Sequence, residues 1–366
     1  MGVLMKRIIV LMIVSITSVI FAEGSISGVS YFGYSMKHIN ADVESDKERG
    51  FELNRVYLTY NNKISDKASF QFQADMQNTN TIEKTAYFMY IKKAKLDLNV
   101  TNSTKLIIGM QGMNMFNVAE KNWGNRFLSK TAMDINKWSA SADLGVGAKL
   151  SMSCPFIESN KISGSLLVTN GEGYKSTSSD NNEKISFQAM YGEERLDKKD
   201  GFNIGAVYST LTYDEVEADI DEGVEAESGG TETVMGIFSG FSSFGARIGL
   251  EYHIGTDLDN EYKKSNSDKI SYSSSSTLMS FYANYSLSFI DGLSLFGRYD
   301  MVDLGNKDDD TSADINESKE DDISTMMAGV IYKCTDGITF APHIVQTTEG
   351  TGNPMMDFNL SFQFKF

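Results

Sequence analysis

The last eleven residues of the chain alternate without a break between apolar and polar side chains. Successive side chains on a β-strand point to opposite faces. The segment Met356 to Phe366 therefore predicts a strand with one apolar face, rich in phenylalanine, and one polar face that carries Asn359, Gln363 and Lys365. Such a strand needs a cover for its apolar face, either the core of a soluble sheet or the lipid around a barrel.

Runs with the same period recur along the whole chain and predict sixteen strands. The predicted strands are residues 25–38, 51–62, 68–77, 85–98, 104–112, 142–152, 161–170, 183–192, 201–212, 231–242, 244–255, 272–288, 292–304, 323–334, 337–347 and 355–366. The fold class is therefore all-β. An even number of strands is what a bacterial single-chain barrel requires.

The connections between these strands alternate in length. Those after even-numbered strands are mostly short, and those after odd-numbered strands are mostly long and polar. The short ones include 65–67, 242–245, 290–292 and 334–337, and the long ones 39–50, 113–141, 171–182, 213–230, 256–271 and 305–322. This asymmetry is typical of a transmembrane antiparallel barrel with short periplasmic turns and long extracellular loops. No repeat of 40 to 50 residues indicates a β-propeller.

The start of the chain predicts export. Lys6 and Arg7 precede an apolar run over residues 8–21, and Ile20-Phe21-Ala22 is an acceptable cleavage site. The run is shorter than the roughly 20 apolar residues that a spanning helix needs. We therefore expect a signal peptide at 1–22 and an outer-membrane barrel domain at 23–366.

Charge and cysteine content exclude several classes of function. The net charge of −16 makes nucleic acid a poor partner, and the spacing of Cys154 and Cys334 matches no metal motif. We expect no cofactor. Two acidic runs, Asp214 to Glu227 and Asp308 to Asp322, fall in long loops. They are either solvated loop residues whose charge concentrates cations at the mouth of the barrel, or weak Ca²⁺ sites shared with lipopolysaccharide.

Several short stretches resemble the general and phosphate-selective porin families of the bacterial outer membrane. These are 51–75, 123–128 leading to 141–146, and 169–174, together with the terminal Phe366. The resemblance implies a sixteen-stranded porin, usually a homotrimer in outer-membrane lipid, whose third long loop folds into the lumen. It also implies that Phe366 is the signal read by the barrel-assembly machinery. No dense lysine ladder marks the phosphate-selective subfamily in this sequence.

The third long loop, 113–141, has two interpretations on the sequence alone. Either it enters the barrel and narrows it, or Trp123 and Trp138 are packing aromatics of a surface loop. Alternation and loop position give one set of candidate pore-lining or constriction residues. The set is Arg55, Asp75, Lys93, Lys95, Lys121, Arg126, Lys130, Arg247, Glu251, Arg298 and Asp300. Its mixed signs leave the ion selectivity open.

The predicted number of strands indicates the function. Barrels of sixteen to eighteen strands leave an aqueous channel, which predicts passive diffusion of ions and small hydrophilic solutes. Two alternatives stay open: a structural or adhesive barrel with a closed lumen, and an outer-membrane hydrolase. The three histidines, His38, His253 and His343, lie in no recognisable catalytic motif, so we expect no enzyme.

Overall fold

The structure is a computed structural model. It describes residues 24–40, 48–79, 86–153, 161–176, 182–213, 230–258, 275–304 and 322–366. The expected signal peptide, Cys154, the first acidic run and all of the second except Asp322 lie outside the described residues. Those expectations therefore remain predictions.

Sixteen antiparallel strands close into one barrel, in which each strand pairs with its neighbours in sequence and β1 pairs with β16. The strands are β1 Gly24–Lys37, β2 Glu48–Lys63, β3 Ala68–Thr79, β4 Ala86–Asn99, β5 Thr104–Gly112, β6 Ala142–Ser153, β7 Lys161–Thr169, β8 Lys184–Gly192, β9 Gly201–Tyr213, β10 Gly230–Ser243, β11 Ala246–Thr256, β12 Ser276–Ser286, β13 Leu293–Asp303, β14 Ile323–Lys333, β15 Ile338–Glu349 and β16 Met355–Lys365. The all-β barrel and the count of sixteen are confirmed.

The two faces of the wall differ in polarity as the alternation predicts. On β11, Ile248, Leu250 and Tyr252 are exposed on the outside, whereas Glu251 and His253 are buried on the inside. The other strands repeat this pattern, so the outer surface carries a belt of large exposed apolar side chains. A polar inside and an apolar outside is the reverse of a soluble sheet on an oily core.

Most strand ends lie within three residues of the expected bounds, and β11 and β12 are two of the strands that begin later than expected. β11 begins at Ala246 rather than at residue 244, because Phe244 and Gly245 form a two-residue hairpin turn with φ of 52° and 78°. Positive φ at both central residues is the geometry that a tight β-hairpin needs. β12 covers Ser276–Ser286 rather than 272–288, and residues 272–274 lie outside the described part.

The closing strand pairs with the first strand over eight residues, from Met36 and Phe358 to Val29 and Lys365. On the outer face of this seam the ring of Phe32 stacks on Phe362 and Phe364, with both centroids 4.8 Å away. Phe366 exchanges two backbone hydrogen bonds with Gly28, of 2.8 and 3.1 Å. The last residue is thus part of the ladder that closes the barrel.

Among the described residues two short helices interrupt the all-β pattern, and both lie in the third long loop. They are α1, Asn117–Trp123, and α2, Ala132–Ile135. Throughout the described residues, no helix has the length and apolar character needed to cross a membrane.

Candidate functional site

The third loop, residues 113–141, lies inside the barrel. Met115 and Trp123 are completely buried, and α1 packs against β10 and β11 while α2 packs against β12. The hydroxyl of Tyr282, which points inward from β12, donates a hydrogen bond of 3.1 Å to the carbonyl of Ala119. The expected insertion of this loop into the lumen is confirmed, and the surface-loop interpretation is wrong.

Trp123 fixes the loop to the wall. Its indole N–H donates to the carbonyl of Ser129 at 2.9 Å, and its ring lies 5.5 Å from that of Tyr282 and 6.0 Å from that of Phe296. The guanidinium of Arg298 stacks on the same ring at 5.1 Å. Aromatic and cation–π contacts of this kind are strongest where water is excluded, as it is here.

Four of the candidate pore residues face inward but lie behind the loop. Arg298 forms a bidentate pair with Asp300, at 2.9 and 2.7 Å, and donates a third bond to the carbonyl of Lys130. Arg247 donates to the carbonyl of Trp123 at 3.0 Å, and Glu251 is buried beside His253. These contacts make Arg298 and Arg247 anchors that hold the loop against β11 and β13.

The free edge of the loop carries its own charge cluster. The guanidinium of Arg126 donates to Glu120 at 2.7 Å and to Asp134 at 2.9 Å, and Lys130 donates to Asp134 at 3.1 Å. Burial raises the pKa of the Asp134 carboxyl, but Arg126 and Lys130 outweigh it, so this pKa is below its usual range. Burial lowers the pKa of Arg126, and the nearby Glu120 and Tyr57 more than reverse this effect. Asp134 and Arg126 are therefore both charged at neutral pH.

The opposite wall, formed by β2 to β4, centres on Asp75, which is fully buried. Its carboxylate lies 3.3 Å from Nε of Arg55 and 3.7 Å from Nζ of Lys92, and it accepts a hydrogen bond of 2.8 Å from the hydroxyl of Tyr174. Nζ of Lys92 also lies over the ring of Tyr57, at 5.1 Å. The Asp75 carboxylate thus has three partners, which are two cations and one hydroxyl group.

Lys92 is a functional candidate that alternation does not reveal. In the pairing of β3 with β4, Gln73 faces Lys93 and Ala74 faces Ile91, so Lys92 is the extra residue of a β-bulge. A bulge places two consecutive side chains on one face. Lys92 and Lys93 therefore both point into the lumen. The dipeptide Lys-Lys inside a strand is the only trace of this in the sequence.

Two more lysines border the same space. Lys175 follows Tyr174 in the connection after β7, is exposed to the lumen, and has its Nζ 5.5 Å from the ring of Tyr90. Burial within the barrel, together with Arg55 and Lys130, lowers the pKa of Lys175 to about 8. Lys95 lies further along β4 and is paired with Asp97 at 2.6 Å.

The loop edge and the β2–β4 wall meet across the barrel. Arg126 lies within electrostatic reach of Tyr57, and Glu120 lies within electrostatic reach of Lys92 and Lys93. We call this narrow region the constriction; it consists of Arg55, Tyr57, Asp75, Lys92, Lys93, Glu120, Arg126, Lys130, Asp134, Tyr174 and Lys175. Lys121, also a candidate, points away from it and pairs with Glu194 at 2.7 Å. Within the described residues no group of three His, Cys, Asp or Glu side chains could hold a metal ion.

Comparisons by sequence find no relative: neither protein-family models nor the sequences of characterised proteins match this chain. Solved structures do match its fold. OprB of Pseudomonas putida has a TM-score of 0.60 at 9% identity, with 94% of each chain covered. OmpF of Salmonella typhi, in complex with daunomycin, has 0.59 at 10% identity, covering 94% of this chain and 98% of its own.

An anion-selective porin from Comamonas acidovorans is similar to the same degree. Its TM-score is 0.58 at 9% identity, with 94% of this chain and 100% of that chain covered. The fold is that of the sixteen-stranded outer-membrane porins. At such low identity the likeness carries no information on individual residues, so the roles of the constriction residues must be argued from their own geometry.

Proposed function

We propose that this protein is an outer-membrane porin, a water-filled channel for the passive diffusion of ions and small hydrophilic solutes. Three observations support the proposal. The closed barrel has the porin fold, its outer surface is apolar where lipid would lie, and its inner wall is polar. The third loop narrows the lumen without a covalent or metal-bound closure among the described residues.

The proposal includes an orientation and a set of partners. Short turns on one rim and long connections on the other support an orientation with the former in the periplasm and the latter outside the cell. The cleaved segment 1–22, the homotrimer, the contact with lipopolysaccharide, and the reading of Phe366 by the assembly machinery belong to this proposal as well.

The net charge of the constriction favours small anions, and the proposed anion selectivity rests on this observation. Its lysines and arginines number six, namely Arg55, Lys92, Lys93, Arg126, Lys130 and Lys175, against the three carboxylates of Asp75, Glu120 and Asp134. The formal excess of three positive charges lies where the third loop approaches the β2–β4 wall. A fixed charge acts most strongly on an ion there, because the ion cannot move away from it.

One observation favours a second candidate, a structural or adhesive barrel with a closed lumen. Arg126 on the loop edge interacts electrostatically with Tyr57 on the far wall, so the loop edge lies close to that wall. The hydrolase alternative has no such support, since the two described inward histidines contact Glu251 and the carbonyl of Ala341.

Purified protein in a planar bilayer distinguishes the two candidates. We expect stepwise conductance and, in a KCl gradient, a reversal potential of the sign that indicates anion preference. A bilayer that shows no steps with correctly folded protein would refute the channel and leave the closed barrel.

A double variant tests whether the loop edge forms the constriction. Arg126→Ala with Lys130→Ala removes two of the six cations and shortens two side chains on the loop edge, so we expect a larger unit conductance and a weaker anion preference. The matched control is Arg49→Ala with Lys67→Ala, which removes the same charge from exposed positions near the two rims. Equal behaviour of the two double variants would place the loop edge outside the conduction path.

A further inference from the structure

One connection enters the lumen from the opposite rim. It joins β8 to β9 through residues 193–200, and we call it the inward turn. Leu196 at its centre is only 2% exposed, although it lies in a connection on the short-turn rim. A leucine in an exposed rim turn would be solvated, so its burial shows that the turn folds back into the barrel.

The inward turn makes an ion bridge between the third loop and the wall. The carboxylate of Glu194 accepts a hydrogen bond of 2.7 Å from Lys121 of α1 through one oxygen and one of 2.6 Å from Lys149 of β6 through the other. Burial raises the pKa of Glu194, but these two ammonium groups lower it to about 2. The Glu194 carboxylate therefore keeps its charge at neutral and moderately acidic pH.

An amide pair lies beside the ion bridge. Asn122 of α1 and Asn203 of β9 exchange two hydrogen bonds, of 2.9 and 2.8 Å, and both side chains are buried. Asn203 donates a further bond of 2.7 Å to the carbonyl of Glu193. Gly240 on β10 leaves space for Asn122 and Leu196, because a Cβ at this position would come within 2.6 Å of Asn122 and 2.8 Å of Leu196.

The inward turn also divides the rim-side mouth of the barrel. On one side Glu193, Glu194 and Arg195 border a cavity of about 350 Å³. On the other side Leu196, Asp197 and Lys198 border a cavity of about 660 Å³, whose wall includes Gly124 and Phe127 of the loop. Solute that leaves the constriction on this side therefore passes the turn.

We propose that the inward turn is a positioning element for the constriction, in which Glu194 ties Lys121 of the third loop to Lys149 of the wall. This inference rests on the proposed channel function and extends it. The third loop is anchored on one side by Trp123 and Arg298, and the turn supports it from the short-turn side. Held in this way, α1 keeps Glu120 and Arg126 opposite β2–β4, and the loop does not shift when a voltage acts on its charges.

The test compares two neighbouring carboxylates in the same planar bilayer assay. Glu194→Gln removes the charge that contacts the loop. Asp197→Asn is the matched control, because it removes one carboxylate of the same turn that pairs with Arg195 inside the turn. We expect the glutamine variant to close at lower voltage and about tenfold more often, the change that one hydrogen bond to a charged group produces. The asparagine variant should gate like the wild type.

Charge reversal tests the contact itself. Lys121→Glu and Glu194→Lys should each increase the closures. The double variant should close less often than either single variant, because it restores the contact with the loop, although Lys149 loses its partner. The migration of unheated protein on a denaturing gel shows whether each variant forms the folded barrel.

Each outcome decides a separate question. Frequent closure in the glutamine variant but not in the control supports the positioning role. Wild-type gating in the glutamine variant, or a reversed pair no better than its parents, would overturn it while leaving the channel intact. A wild-type protein without conductance would overturn the channel function, and the positioning role with it.

Discussion

Neutralising Lys93 tests the link between constriction charge and ion preference most directly. Lys93 points into the lumen beside the bulge of β4, within electrostatic reach of Glu120, and it has no ion pair among the described residues. The change Lys93→Gln therefore removes one cation and leaves no described carboxylate without its partner. The formal excess falls from three positive charges to two.

The size of the effect follows from Coulomb's law. An ion that passes about 6 Å from this charge in water gains or loses about 0.7 kcal/mol. At about 0.1 M salt, screening over about 10 Å reduces this energy to about 0.4 kcal/mol. The barrier rises for an anion and falls for a cation by that amount, so the ratio of their permeabilities changes by about 0.8 kcal/mol, or about fourfold.

The assay is the reversal potential in a KCl gradient, measured at about pH 6, where lysines are protonated. In about 1 M salt the same calculation gives less than about a 1.5-fold change in the permeability ratio, because the screening length falls to about 3 Å. The control Lys67→Gln makes the same substitution in an exposed turn and should leave the ratio unchanged. An unchanged ratio for Lys93→Gln at low salt, or a change that does not decrease with salt, would refute the reasoning.

Three further predictions concern the loop, the seam and pH. Lys175 has a pKa lowered to about 8, so it loses its positive charge as the pH rises through 8. The anion preference of the channel should therefore fall between about pH 7 and 9. It should fall less in Lys175→Arg, because arginine stays charged over this range. Equal slopes for the two proteins would place Lys175 outside the ion path. Trp123→Ala leaves a cavity under the loop and should cost about 3–5 kcal/mol, seen as a lower temperature for loss of the folded band, with a smaller drop for Trp123→Phe. Deleting Phe366 removes two backbone bonds to Gly28, so it should reduce the yield of folded barrel while the assembled channels conduct normally; normal yield would contradict the assembly role.

The strands could be predicted because their signal is local. Alternation with a period of two needs only neighbouring residues, and it placed Glu251, Arg298 and Asp300 on the inner face, where the structure has them. The insertion of the third loop was one of two interpretations. What decides it is the set of contacts of Trp123 and Ala119 with β12 and β13, which lie far away in sequence.

The constriction could be predicted only in part. Arg55, Asp75, Lys93, Arg126 and Lys130 come together there, whereas Arg247, Arg298 and Asp300 hold the loop from behind. The inward face of a strand does not distinguish these two environments, because both are polar and both point to the barrel axis. Only the path of the loop divides the inner wall into a covered half and an open half.

Residues close together in the chain specify the barrel, its sixteen strands, its two faces and the alternation of short and long connections, so these features could be read from the sequence. Which charges meet depends on contacts between residues far apart in the chain. The extra inward lysine, Lys92, depends on a bulge in the pairing of two strands, and the bridge of Glu194 to Lys121 and Lys149 depends on a turn that folds into the lumen. Strand register and loop path are properties of the closed barrel as a whole, since each strand is held by both neighbours, and no local pattern specifies them.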